Sequence, residues 1–203
     1  MNFPYTHTLI DNAFTYTTYR QYIDQKMAQP AQDEAAGKMK PYIQKNVQLM
    51  QHHDHIYRVC APLHTALSAA PATTWLVLTE GWCGDAAFNI PLMAAAEKAL
   101  PGKIKLRLLL RDQHLDLMDA HLTDGGRSIP KLVVLNNDLQ KLGTWGPKPA
   151  ALHQLNKEWK AEGLLLKELI ARTQQWYDAD NTQMLQQELT TLVKSYSASP
   201  VLL

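Results

Sequence analysis

Two cysteines, Cys60 and Cys83, are the side chains of this 203-residue sequence best suited to covalent chemistry. Cys83 stands in Thr79-Glu80-Gly81-Trp82-Cys83-Gly84-Asp85-Ala86. An apolar, β-branched run precedes this segment and a helical pattern follows it. The sulfur therefore falls where a buried strand ends and a helix begins. Free N–H groups of a first helical turn, together with the helix dipole, favour thiolate over thiol. Thiolate is the nucleophile of disulfide exchange and the target of oxidants. Asp85 opposes this, because a carboxylate near the sulfur disfavours a second negative charge. Its carboxylate could equally pair with a lysine or turn toward the helix N-terminus. The position makes Cys83 the expected catalytic nucleophile and an accessible one, although buried cysteines are usually inert.

Other reactive types carry weaker expectations. Cys60 lies on an apolar helical face with Ile56, Val59 and Leu63, which reads as a core position; a resolving role toward Cys83 is the alternative. His52 and His55 share a helix face at i, i+3, but a metal site would need ligands from another element. A solvated helix face is the expected reading, and no metal is assigned. Tyr5, Phe14, Tyr16, Tyr19 and Tyr22 read as aromatics that dock the N-terminal helix, with a ligand groove as the alternative. Asp116, Asp119 and His121 are spread over a helix and receive no role.

The elements that must position Cys83 fall into three regions: a helical N-terminal extension over residues 1–72, an alternating α/β domain over 73–160, and C-terminal helices over 161–203 packed on the same domain. In the first region a helix is expected over 12–28, then a polar connection over 29–37. A second helix follows, with a break or kink at Pro62. In the second region strands are expected at 73–79, 103–111, 131–135 and 139–145, the last two joined by a turn at 136–138. Helices are expected at 85–100, 113–122 and from Pro147 and Pro149 to about 160. Helical crossovers between the first three strands imply parallel pairing, and the last pair implies an antiparallel hairpin. The fold class is thus α/β, a mixed sheet flanked by helices. The tail over 195–203 reads as frayed.

Composition narrows the function classes. Hydrophobic residues make up 46%, enough for a sizeable core. Lys and Arg total 20 against 19 Asp and Glu, a net charge of +1 that argues against nucleic-acid binding. No apolar run is long enough for a membrane span. The N-terminus, Met1-Asn2-Phe3-Pro4-Tyr5-Thr6-His7, lacks a basic region followed by an apolar one, so no secretory signal and a cytoplasmic location are expected. Two cysteines do not make a disulfide scaffold.

Trp82-Cys83-Gly84-Asp85-Ala86 resembles the Trp-Cys-Gly-Pro-Cys active site of the thioredoxin superfamily. Gly126-Arg127-Ser128-Ile129-Pro130 resembles the family's Ile-Pro segment, whose proline is cis and abuts the redox cysteine. The resemblance covers residues 73–160. The Trp-Cys-Gly-Asp-Ala form with a helical N-terminal extension is similar to thioredoxin-family proteins of Bacteroidetes-type bacteria. The resemblance implies that Pro130 is cis, that Ile129 pairs with a substrate backbone by strand addition, and that Trp82, Gly84 and Asp85 flank the substrate.

Two departures from the family agree with each other. Ala86 replaces the resolving cysteine, and Val77 stands where the family has a buried aspartate. The dithiol cycle within one Cys-x-x-Cys pair is excluded. What remains is a monothiol route, in which Cys83 attacks a protein or low-molecular-weight disulfide and a second thiol releases it. Oxidation to a sulfenic acid with external reduction is a variant of that route. The rival is a redox-inactive binding or chaperone-like module. Neither needs a cofactor. A peroxidase reading lacks its threonine-bearing motif. The N-terminal extension is also expected to cover one edge of the site.

Overall fold

The computed structural model describes residues 5–198. The run at 73–79 forms β1 (Thr73–Thr79), buried along nearly its whole length, as a central strand covered on both faces requires. Beside it lie β2 (Ile104–Leu110), β3 (Lys131–Leu135) and β4 (Lys141–Trp145). The sheet order is β2-β1-β3-β4.

β1 pairs with β2 in parallel, and β3 with β4 antiparallel. The parallel pairing expected for the third strand is corrected: β3 runs antiparallel to β1, with Lys131 opposite Leu78. The reason is the link from β2 to β3. In place of a crossover helix over 113–122 it holds a 3-10 turn (Arg111–Gln113) and the one-turn α6 (Leu115–Asp119). A link this short in helix does not carry the chain back along the sheet. It stays at the end where β1 and β2 finish, and β3 starts from there.

Helices α1 (His7–Asn12), α2 (Tyr16–Ala28), α3 (Glu34–Ile56) and α4 (Ala61–Ala69) precede the sheet. The helix expected over 12–28 is in fact two. Thr15 caps α2 by accepting from the Thr18 N–H, and Thr18 returns the bond to the Thr15 N–H. Between α1 and α2, Phe14 exchanges two backbone hydrogen bonds with Leu108 at 2.9 and 2.8 Å. This bridge shields part of the exposed edge of β2. The expected connection over 29–37 is shorter, because Asp33 caps α3 through the Ala36 N–H. Pro62 does not kink a helix; the break comes before it, and Pro62 sits in the first turn of α4, where a missing N–H costs nothing.

After β1 comes α5 (Gly84–Ala99). β4 begins later than the expected residue 139, because Leu139 has φ +59° and belongs to the turn. Next are α7 (Ala150–Ala161), α8 (Leu166–Asp180) and α9 (Gln183–Ser197). The expected fraying over 195–203 is not seen through Ser197, and residues 199–203 lie outside those described. Residues 1–4 of the expected leaderless N-terminus lie outside them as well.

The helices flank the sheet: α3 packs on α5, α2 on β2, and α9 on α4 and β4. Tyr19, Ile23, Met50, Leu185, Leu189 and Val193 from the terminal segments join the sheet side chains in one core. Among the described residues no helix is long and apolar enough to cross a membrane.

α5 contains Pro91, which cannot donate to the carbonyl four residues earlier, that of Ala87. His53 of α3 supplies the missing donor, its Nδ1 lying 2.9 Å from that carbonyl. A carbonyl only accepts, so Nδ1 carries the proton. The ring stacks on Tyr57 and leans on Phe88. Burial holds the His53 pKa below its usual value.

Candidate functional site

Because β3 returns antiparallel, its first residues and the start of α5 meet at the same end of the sheet. The two sequence motifs become one site there. The Cys83 thiol donates to the Ile129 carbonyl at 3.2 Å across 46 residues of chain. The Ile129–Pro130 peptide bond is cis, as is Gly146–Pro147.

Gly146 lies against this point. Its φ is +111°, and a Cβ there would stand 2.2 Å from the Pro130 carbonyl oxygen. Only glycine lets the end of β4 come this close to the cis-proline loop.

The loop before Cys83 is held from the N-terminal side. Asn46 Nδ2 donates to the Gly81 carbonyl at 2.9 Å, and Ile23 packs on Gly81. Trp82 is half-buried, with the Arg111 guanidinium 5.0 Å from the centroid of its ring. Arg111 also donates to the Arg127 carbonyl at 3.1 Å, tying the end of β2 to the loop that leads into Pro130. Gly84 is exposed, with open space on the side where a Cβ would project.

Cys83 is the N-cap residue of α5, the place expected to favour thiolate. The structure weighs the effects differently. Cys83 is only 7% exposed, where accessibility was expected. Burial, and after it the Asp85 carboxylate, push its pKa up to about 12. Hydrogen bonds from the Ala86 and Asp85 backbone and the charge of Lys148 act in the opposite direction and do not prevail. A thiol at this pKa is protonated at neutral pH, and thiol is a poor nucleophile.

The orientation of Asp85 was open from sequence, and a lysine and a tyrosine settle it. Lys148 Nζ lies 3.0 Å from one carboxylate oxygen, and the Tyr177 hydroxyl donates to the other at 2.9 Å. Asn89 Nδ2 donates to the Tyr177 hydroxyl at 2.9 Å and to the Asp85 carbonyl at 2.7 Å. Phe88 stacks on the Tyr177 ring at 4.3 Å. Sequence reasoning missed Lys148, Asn89 and Tyr177. Lys148 sits in an irregular Gly-Pro-Lys-Pro segment, and Tyr177 comes from a helix 92 residues after Asp85. No local spacing announces such partners.

Of the remaining candidates, the buried Tyr19 lies within electrostatic reach of Cys83. Cys60 and Cys83 are both free thiols. Cys60 is half-buried at the start of α4, its N–H bonded to Gln186 Oε1. His52 and His55 are exposed, while Asp54 is engaged by Arg20 and Tyr16. Among the described residues no group of three or more His, Cys, Asp or Glu side chains is placed to hold a metal ion.

A family model described as thioredoxin matches residues 33–160, which span α3 through most of α7. No curated protein matches the chain. A crystal structure of a protein of unknown function from Pseudomonas aeruginosa is similar to it, with a TM-score of 0.61 at 15% identity over 94% of this chain and 98% of that one. An HIV epitope scaffold matches with the same score, identity and coverage. At this identity the likeness concerns the fold.

Proposed function

This chain belongs to the thioredoxin family, and we propose that it acts as a thioredoxin-fold binding module whose single site cysteine is kept silent at neutral pH. The observation that carries the reading is the state of Cys83: buried, hydrogen-bonded to Ile129 and raised in pKa by its surroundings. Ala86 and Val77 fit the same reading, since neither supplies a second thiol or a base. The partner is a protein segment that approaches the exposed Gly84 and the Ile129–Pro130 edge, with Trp82 as an apolar wall. A cytoplasmic location belongs to the same proposal.

A second reading, monothiol exchange, is favoured by one specific observation. Cys83 caps α5 beside the cis-proline, and the Lys148 charge lowers its pKa. In that reading a protein or low-molecular-weight disulfide is attacked by the Cys83 sulfur, the leaving thiolate departs, and a second thiol cleaves the mixed disulfide to return the Cys83 thiol. The step needs Cys83 to lose its proton and its cover.

The two readings separate on the rate of Cys83 alkylation against pH in Cys60→Ala protein. The binding module predicts slow reaction with a midpoint well above the free-cysteine value of about 8.5. Asp85→Ala should then lower the midpoint, since it removes the second cause of the shift. A midpoint below about 8.5 in the parent protein transfers the case to monothiol exchange.

A further inference from the structure

Beside the Gly146–Pro147 turn, next to the thiol site, lies a cavity of about 270 Å³ lined among others by Thr123, Lys131, Trp145, Lys148, His153 and Glu188. Its basic side chains are unequally served. Lys148 faces Asp85, and His153 faces Asp124 at 2.9 Å, which also takes Lys157 at 2.7 Å. Glu188 is committed as well: its oxygens accept from Trp145 Nε1 at 2.6 Å and from the Ala150 N–H at 2.7 Å.

Lys131 differs from these. It is 7% exposed, and its ammonium donates to the Thr123 hydroxyl at 2.8 Å. Among the described residues no carboxylate forms an ion pair with it. An ammonium has three donors, and burying one without a counter-charge is costly. Burial holds the Lys131 pKa below the usual lysine value, and the charges of Lys141 and Lys131 add to burial in suppressing protonation of nearby His121. Lys131 is thus the cation of this cavity without a carboxylate partner of its own among the described residues, while Glu188 keeps its negative charge because both its donors are neutral N–H groups.

We propose that the cavity is a binding site for a small oxyanion, a phosphate or carboxylate group, held by the Lys131 ammonium and the Thr123 hydroxyl. The volume is at the low end for small-molecule sites, which suits a compact anionic group. The donor set is that of an anion site, with a point charge and a hydroxyl on one wall. Lys148 and Gly146 border both this cavity and the thiol site, but the anion is held by Lys131 and Thr123, so the proposal does not depend on which reading of that thiol holds.

The test is calorimetric titration at constant ionic strength, with inorganic phosphate in one arm and acetate in the other. Wild type should bind at least one, and the arm that binds assigns the chemistry. Lys131→Met should weaken that binding about tenfold or more, as expected for losing a hydrogen bond to a charged group. Absence of binding in both arms, or equal affinity in Lys131→Met, overturns the proposal. If Lys131→Met does not fold, acetylation of wild type decides. The anion should slow modification of Lys131 relative to exposed Lys167, and an unchanged ratio overturns the proposal.

Discussion

Gly146 brings the end of β4 close against the cis-proline loop. A methyl group there would meet the Pro130 carbonyl at 2.2 Å, and its φ of +111° is a region that other residues rarely adopt. Gly146→Ala should therefore cost about 3 kcal/mol in urea unfolding. It should also speed alkylation of Cys83, because the cis-proline loop that covers the thiol is pushed away. A stability change near zero would mean that the loop gives way without strain. Asp85 works at the same scale. It raises the Cys83 pKa while neutralising Lys148, so one carboxylate serves both the silence of the thiol and the packing of the α7 start. Asp85→Ala should cost about 2 kcal/mol, because a largely buried lysine loses its partner. Adding Lys148→Met should restore part of that loss in a double-mutant cycle measured by urea unfolding.

Between elements, α3 and α5 are joined by a repair. Pro91 leaves the Ala87 carbonyl without its helical donor, and His53 fills the gap. His53→Leu should leave that carbonyl buried and unpaired, at a cost of about 1–3 kcal/mol. Pro91→Ala restores an N–H to the helix. In the double variant the His53→Leu penalty should shrink, and equal penalties in both backgrounds would remove His53 from this role. The β2 edge shows the same economy of parts. Two backbone bonds from Phe14 close a stretch of strand that would otherwise face solvent.

Over the whole molecule, we propose that residues 1–72, 73–160 and 161–203 fold as one unit. Leu185, Leu189 and Val193 of α9 are fully buried in the shared core. Each is worth about 2 kcal/mol when removed from water, and together they rival the net stability of about 5–15 kcal/mol usual for a domain. A chain ending at residue 160 should show no cooperative urea transition; a sigmoidal one would make the C-terminal helices dispensable. His121 links the N-terminal segment to the connection between β2 and β3, its ring nitrogen 2.5 Å from the Tyr5 hydroxyl. Burial first, then Lys141 and Lys131, hold its pKa at about 4. The unfolded value is about 6.5, so the unfolded chain takes up this proton first and stability falls as pH drops from about 6.5 through about 4. Wild type should lose more stability over that range than His121→Phe does. Equal losses would assign the acid sensitivity to other groups.

Local chemistry wrote much of this into the sequence. The strand-to-helix switch at Cys83, the proline opening β3, the absent second thiol at residue 86 and most helices follow from periodicity, caps and turn residues. These signals act within a few residues of chain, so they are legible without the fold. The direction of β3 is another matter. It depends on where the chain leaves β2, and the apolar pattern of a buried strand reads the same in either direction. The state of Cys83 likewise depends on Ile129, Lys148 and Tyr177, which are 46 or more residues away and meet it only after packing. Sequence placed a cysteine at a helix N-terminus, where the dipole favours thiolate. Tertiary structure decided that burial and a neighbouring carboxylate outweigh that dipole, because desolvation is set by the whole surroundings of the sulfur and not by its own segment.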